Sequence, residues 1–207
     1  MAMQRDPRVA AAFEAVPRES FLPPEARGQA HLDRPIRIPH GQTNSQPSTV
    51  RNMLELLDVR PGQRILDVGA GSGWTTALLA HLVGEGGQVW GVERIRELQE
   101  GASDAVGEWP WAQVHLAGDG ELGLPGLAPF DRILVSAAAD ELPAALVDQL
   151  APGGVMVIPV KGQMLRVVRG VVGEDGAEPE PEVTRHGWYN FVPLIVPSVG
   201  GRARWGR

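Results

Sequence analysis

Gly69, Gly71 and Gly73, spaced two apart, follow an apolar run over 65–68 that contains Asp67, and a helical stretch opening on Trp74 comes next. Glycine allows a tight turn with the backbone close to a ligand, and the amides of a first helical turn face the same site. The order strand, glycine turn, helix fits a nucleotide-cofactor site, or else a plain strand-to-helix connection. Glu93 ends the next apolar strand, 20 residues beyond Gly73. A carboxylate there accepts both hydroxyls of a ribose, or it caps the helix expected over 94–106. A further strand over 113–116 runs into Ala117-Gly118-Asp119-Gly120. Asp119 there either meets an adenine amino group or makes a turn.

A second loaded segment precedes the glycine turn: Asp33-Arg34-Pro-Ile-Arg37-Ile-Pro-His40-Gly-Gln42-Thr43-Asn44-Ser45-Gln-Pro47. Ser45 stands at a helix N-cap position with Pro47 in the first turn, so its hydroxyl satisfies an amide, faces an acceptor, or does both. His40 either touches substrate or bonds backbone in its loop. Arg34 and Arg37 either hold an anionic acceptor or stay solvated. The glycine spacing also separates cofactors. A dinucleotide site needs a third glycine at the position of Trp74, for close helix-to-strand packing. Gly-x-Gly-x-Gly behind Asp67 instead resembles the S-adenosylmethionine-dependent methyltransferases of the Rossmann-like class.

The elements that position these groups alternate between strand and helix after two N-terminal helices, which predicts an α/β fold with a mostly parallel sheet and helices on both faces. Periodicity marks helices over 50–57 and 77–83 and buried strands over 132–135 and 155–158. Apolar pieces over 163–169 and 189–195 flank an acidic loop over 174–182, which predicts an antiparallel C-terminal edge. One domain is expected over 1–207: N-terminal helices and acceptor loop over 1–60, cofactor core over 61–160, closing strands over 161–199, and a mobile tail over 200–207.

The composition narrows the function. The 207 residues carry 43% hydrophobic side chains and a formal net charge of −6, which suits a soluble globule and disfavours nucleic acid as a partner. No apolar run nears membrane-spanning length, and no secretory h-region opens the chain, so no membrane partner is expected. Zero cysteines exclude disulfides, thiolate metal sites and cysteine catalysis, and suit the cytoplasm. The five histidines fall at no zinc-ligand spacing, so no metal is expected.

Val16-Pro-Arg-Glu-Ser-Phe21-Leu-Pro23, Asp33-Arg-Pro with His40 to Pro47, Ile65 to Gly73, Pro129 to Ala138, Leu150-Ala-Pro-Gly-Gly154 and Gln163-Met-Leu165 occur in the order and spacing of one family. Through them the chain resembles the protein-L-isoaspartate O-methyltransferases over residues 7–195. The resemblance implies methyl transfer from S-adenosylmethionine to the free carboxylate of isoaspartyl residues in damaged proteins, with S-adenosylhomocysteine as product, in a cytosolic monomer. It implies Ser45 as the active-site serine; Arg34 and His40, read from the loop itself, are the further substrate candidates. Gln42, Thr43 and Asn44 would lie against the cofactor, together with Asp67, Gly69, Ala70, Gly71 and Gly73. Glu93 and Arg94 would serve the ribose, and Asp119 and Gly120 the adenine. Asn44 stands where the family usually has an apolar residue, and Ser48 where it often has an aromatic one or histidine. These departures bear on acceptor preference, and leave two alternatives: a methyltransferase of another carboxylate, or an inactive cofactor-binding scaffold.

Overall fold

Apolar runs too uniform to alternate inside and outside make strands buried on both faces, and here they form the middle of a seven-stranded sheet. The computed structural model describes residues 6–171, 173 and 179–196. In chain order these form α1 (Pro7–Ala15), β1 (Ile36–Arg37), β2 (Thr43–Asn44), α2 (Pro47–Leu57), β3 (Arg64–Val68), α3 (Trp74–Val83), β4 (Gln88–Glu93), α4 (Arg96–Ala105), β5 (Ala112–Leu116), β6 (Phe130–Val135), α5 (Ala144–Val147), β7 (Leu150–Val160), β8 (Gln163–Val168) and β9 (Glu182–Trp188). The large sheet runs β5-β4-β3-β6-β7-β8-β9, parallel as far as β7 and antiparallel beyond. The order reverses between β3 and β6, which opens a crevice at the carboxyl ends of those strands.

Residues of α1 to α4 pack on one face of the sheet, in a core with Ile65, Val89, Leu134 and Val157. The other face, with Leu66, Val92, Ile133 and Ile158, is covered by the short α5 and by loops. Trp74 explains why α1 holds its place. Its indole is buried, its Nε1 donates to the Val16 carbonyl at 3.1 Å, and it meets Phe13 edge-on with centroids 5.4 Å apart. The close helix contact that a third glycine would serve falls one residue earlier. A Cβ on Gly73 would stand 3.3 Å from Ala102 of α4, and the Gly73 φ of +89° is one that side chains avoid.

One expectation needs correcting. The second closing strand is β9, and residues 189–195 are irregular apart from a single bridge between Ala138 and Pro193. Pro193 lacks the amide a ladder needs, and the apolar side chains around it face the crevice instead. Residues 174–178 of the acidic loop and the whole 200–207 tail lie outside the described residues.

Candidate cofactor and acceptor site

The crevice at the strand ends widens into a cleft of about 880 Å³, its mouth included. Its floor is the turn from Gly69 to Ser72, which follows β3. Glu93, at the end of β4, is buried beside that turn, accepting from the Gly71 amide at 2.9 Å through Oε2 and from the Ile95 amide at 2.9 Å through Oε1. The capping role expected of it is seen in the bond to the Ile95 amide. The carboxylate braces the entry to α4 and the glycine turn, and each oxygen keeps a lone-pair direction for a further donor.

Asp67 sits beneath the turn and does not line the cleft. It is fully buried; Oδ2 accepts from the hydroxyls of Thr75 and Thr76, each at 2.7 Å, while Oδ1 has no hydrogen-bond partner among the described residues. Burial pushes its pKa up to about 6, against the two threonine bonds, and the nearby Glu93 charge adds to the rise.

The acceptor loop hangs on a buried arginine. Arg18 donates from Nε to the Asn44 Oδ1 at 2.7 Å and from Nη2 to the carbonyls of Asn44 (3.0 Å), Ser45 (2.8 Å) and Arg34 (2.9 Å). Its Nη1 donates to the Leu32 carbonyl at 3.0 Å, and its guanidinium lies 5.4 Å from the Trp74 ring centre. Desolvation lowers its pKa to about 10, partly opposed by the charge of Asp33. The N-cap of α2 is Gln46, which makes no side-chain cap bond. Asp33 does that work from outside, accepting from the Ser48 amide at 2.8 Å and the Gln46 side chain at 3.1 Å, and these bonds hold its pKa below the usual carboxylate value. Ser45 is thereby relieved of the capping role; among the described residues its hydroxyl makes no hydrogen bond.

A second depression opens beside the cleft, lined by Ser45, Ser48, Thr49 and Asn52 on one side and by Trp188, Tyr189, Asn190 and Phe191 on the other. Among the described residues no charged side chain lines it. Thr43, Ser45, Ser136 and Val192 belong to both walls, so the two spaces meet at those residues.

Of the residues expected at the cofactor, Gln42, Thr43, Asn44, Gly69, Ala70, Gly71, Glu93 and Arg94 line the cleft. Gly73 caps α3 behind it. Asp119 and Gly120 are exposed and stand off the wall, which is completed by Ala117, Glu121, Leu122 and Gly123. The substrate candidates Arg34 and His40 lie outside both spaces. Arg34 lines a separate surface hollow and donates to Gln29 at 2.8 Å, while His40 adopts a φ of +61° and faces Glu97 at 4.0 Å. Sequence reasoning missed Ser136, Arg18 and residues 192–195. Ser136 had a usable signal, since it directly follows a strand at the switch point. No group of three or more potential metal ligands occurs among the described residues.

Comparison with known proteins agrees with this geometry. The family model for protein-L-isoaspartate(D-aspartate) O-methyltransferase matches residues 2–196. A protein-L-isoaspartate O-methyltransferase of Aeropyrum pernix is 52% identical over 195 residues, 93% of this chain and 73% of that protein. One from Methanopyrus kandleri is 46% identical over 92% of this chain and 84% of its own length. A Plasmodium falciparum structure of this kind, solved in complex with S-adenosyl-L-homocysteine, superposes with a TM-score of 0.77 at 26% identity and covers 93% of this chain and 92% of its own.

Proposed function

The chain belongs to the protein-L-isoaspartate(D-aspartate) O-methyltransferase family, and from that premise we propose how its residues divide the work. It is an S-adenosylmethionine-dependent enzyme that esterifies the free carboxylate of L-isoaspartyl residues in damaged proteins. The ester closes to a succinimide, whose hydrolysis returns part of the product to normal aspartate.

The cleft fits the cofactor. Gly69, Ala70 and Gly71 offer bare backbone at its floor, and Glu93 offers two acceptor oxygens for the ribose. Ala117, Leu122 and Gly123 shape the adenine end, with Glu121, which lines the cleft, rather than Asp119 as its carboxylate. Ionised Asp67 favours a cationic ligand from below the turn. S-adenosylmethionine supplies an electrophilic methyl group on a sulfonium. As a carboxylate oxygen of the acceptor bonds that carbon, the carbon–sulfur bond breaks and its electrons remain on sulfur.

The neutral groove beside the cleft receives the damaged peptide. A carboxylate with a pKa near 4 is already ionised at neutral pH, so the protein need only align it, and no general base is required. The observation that carries this reading is the junction itself. Ser45 and Ser136 line both the cofactor cleft and the acceptor groove, where the two spaces meet. Ser45 orients the acceptor by hydrogen bonding and forms no covalent bond.

The chain acts as a cytoplasmic monomer, one methyltransferase domain over 1–207. Its lack of cysteine suits that compartment, and no helix among the described residues is long and apolar enough to cross a membrane. Its net charge of −6 argues against nucleic acid as a partner.

Methyl-labelled cofactor with matched isoaspartyl and aspartyl peptides tests the assignment. Base-labile label is expected on the isoaspartyl peptide alone, and Ser45→Ala is expected to lower turnover far more than cofactor affinity. Full turnover in that variant would remove Ser45 from the mechanism.

A further inference from the structure

We propose that Arg18, Asn44 and Ser72 form a bridge that registers Ser45 against the cofactor turn, making Arg18 and Asn44 positioning residues for methyl transfer. The inference rests on the site reading above. Asn44 is buried and uses both ends of its amide: Oδ1 accepts from Arg18 Nε at 2.7 Å, and Nδ2 donates to the Ser72 hydroxyl at 3.1 Å. Ser72 belongs to the glycine turn, and the carbonyl of Ser45 is held by the same guanidinium at 2.8 Å. One planar fork therefore fixes the residue that faces the acceptor and, through one amide, the turn that faces the cofactor.

Arg18 makes no ion pair among the described residues. Its whole hydrogen-bonding capacity goes to Asn44 and to the carbonyls that shape the 30–45 segment. An aliphatic side chain at 44 can make neither bond, so Ser45 and the turn would then be joined by packing alone. In-line transfer is sensitive to placement; a displacement of about 1 Å can cost about a hundredfold in rate.

The test is a double-mutant cycle on purified enzyme with the isoaspartyl peptide, with kcat, peptide KM, cofactor Kd and thermal midpoint read for each variant. Asn44→Leu is expected to lower kcat roughly ten- to a hundredfold with a much smaller change in cofactor Kd. In a Ser45→Ala background the same substitution is expected to cost little more, because both act on one placement. Asn44→Asp is expected to recover most of kcat, since its carboxylate accepts from both Arg18 and the Ser72 hydroxyl. Arg18→Lys, which keeps charge and loses the fork, is expected to reproduce the Asn44→Leu loss. Unchanged kcat in Asn44→Leu, additive effects with Ser45→Ala, or no recovery in Asn44→Asp would overturn the bridge while the site reading stands. Unchanged turnover in Ser45→Ala alone would overturn that reading, and the bridge with it.

Discussion

Asp67 shows how a single side chain can work against the fold while serving the site. A carboxylate raised to about 6 in the folded chain holds its proton more tightly there than in the unfolded chain, whose value is 3.8. Folding is therefore penalised above about pH 6, and the penalty fades as pH falls toward 3.8. Asp67→Asn keeps an oxygen for Thr75 and Thr76 and removes the charge. We expect it to melt above the wild type at pH 8, by an amount on the order of 3 kcal/mol at most, with the gap closing below pH 4. The same variant should bind cofactor more weakly, because the field under the turn is gone. Thermal unfolding across pH 4–8 with calorimetric cofactor titration checks both signs. A gap that does not change with pH would mean that the pKa of Asp67 is not raised in the folded chain.

Elements carry the site by their ends, and α2 is the case most open to measurement. One of its first amides, that of Ser48, is satisfied by Asp33, 15 residues away, so one carboxylate both caps the helix and closes the acceptor loop on itself. Asp33→Ala is expected to cost about 1 kcal/mol of stability, as for other lost caps, and Asp33→Asn rather less. Because the folded pKa of Asp33 is lowered, its stabilisation is present above pH 3.8 and is lost as pH falls through the folded value. Equal stability of the alanine variant and wild type would show that the Ser48 amide finds water as good a partner. The remoteness of this cap also marks how far the sequence was legible. The glycine turn, the alternation of strand and helix and the antiparallel edge were readable because they are local in chain or periodic. Asp33 as a cap and Arg18 as a clamp depend on contacts between distant segments, which no spacing encodes. Residues 189–195 misled for another reason: an apolar run looks the same whether it pairs in a sheet or walls a cavity. Pro193 was the one local warning.

At the scale of the molecule, the cleft is built from stretches as far apart as Gln42 and Ile195, with walls from 42–45, 68–72, 74–75, 92–94, 117, 121–123, 136–137 and 192–195. Bonds such as Asn44–Ser72, Gly71–Glu93, Ala117–Glu93 and Ser136–Val68 already join most of them, and a ligand that touches all of them adds contacts the free chain lacks. Saturation with S-adenosylhomocysteine at about a hundred times its Kd is expected to add about 2.7 kcal/mol, which for a chain of this length is a rise of roughly 5–10 °C in melting temperature. The gain should be spread unevenly. Residues 117–123 and 192–195 belong to no strand of the sheet; backbone bonds of Ala138 with Val192 and Leu194, the Ala117 amide on the Glu93 carbonyl and the Gln149 side chain on Leu122 and Leu124 hold them. Hydrogen exchange with and without ligand should therefore show new protection in both stretches as well as at the glycine turn, with little change in the β7–β8 hairpin, whose amides are already paired. Protection confined to 69–73 would mean that the cofactor touches only the floor, and would remove 192–195 from the site. Protection across all the walls would make the cofactor the element that joins the acceptor loop to the C-terminal segment, and so completes the groove in which the damaged peptide must lie.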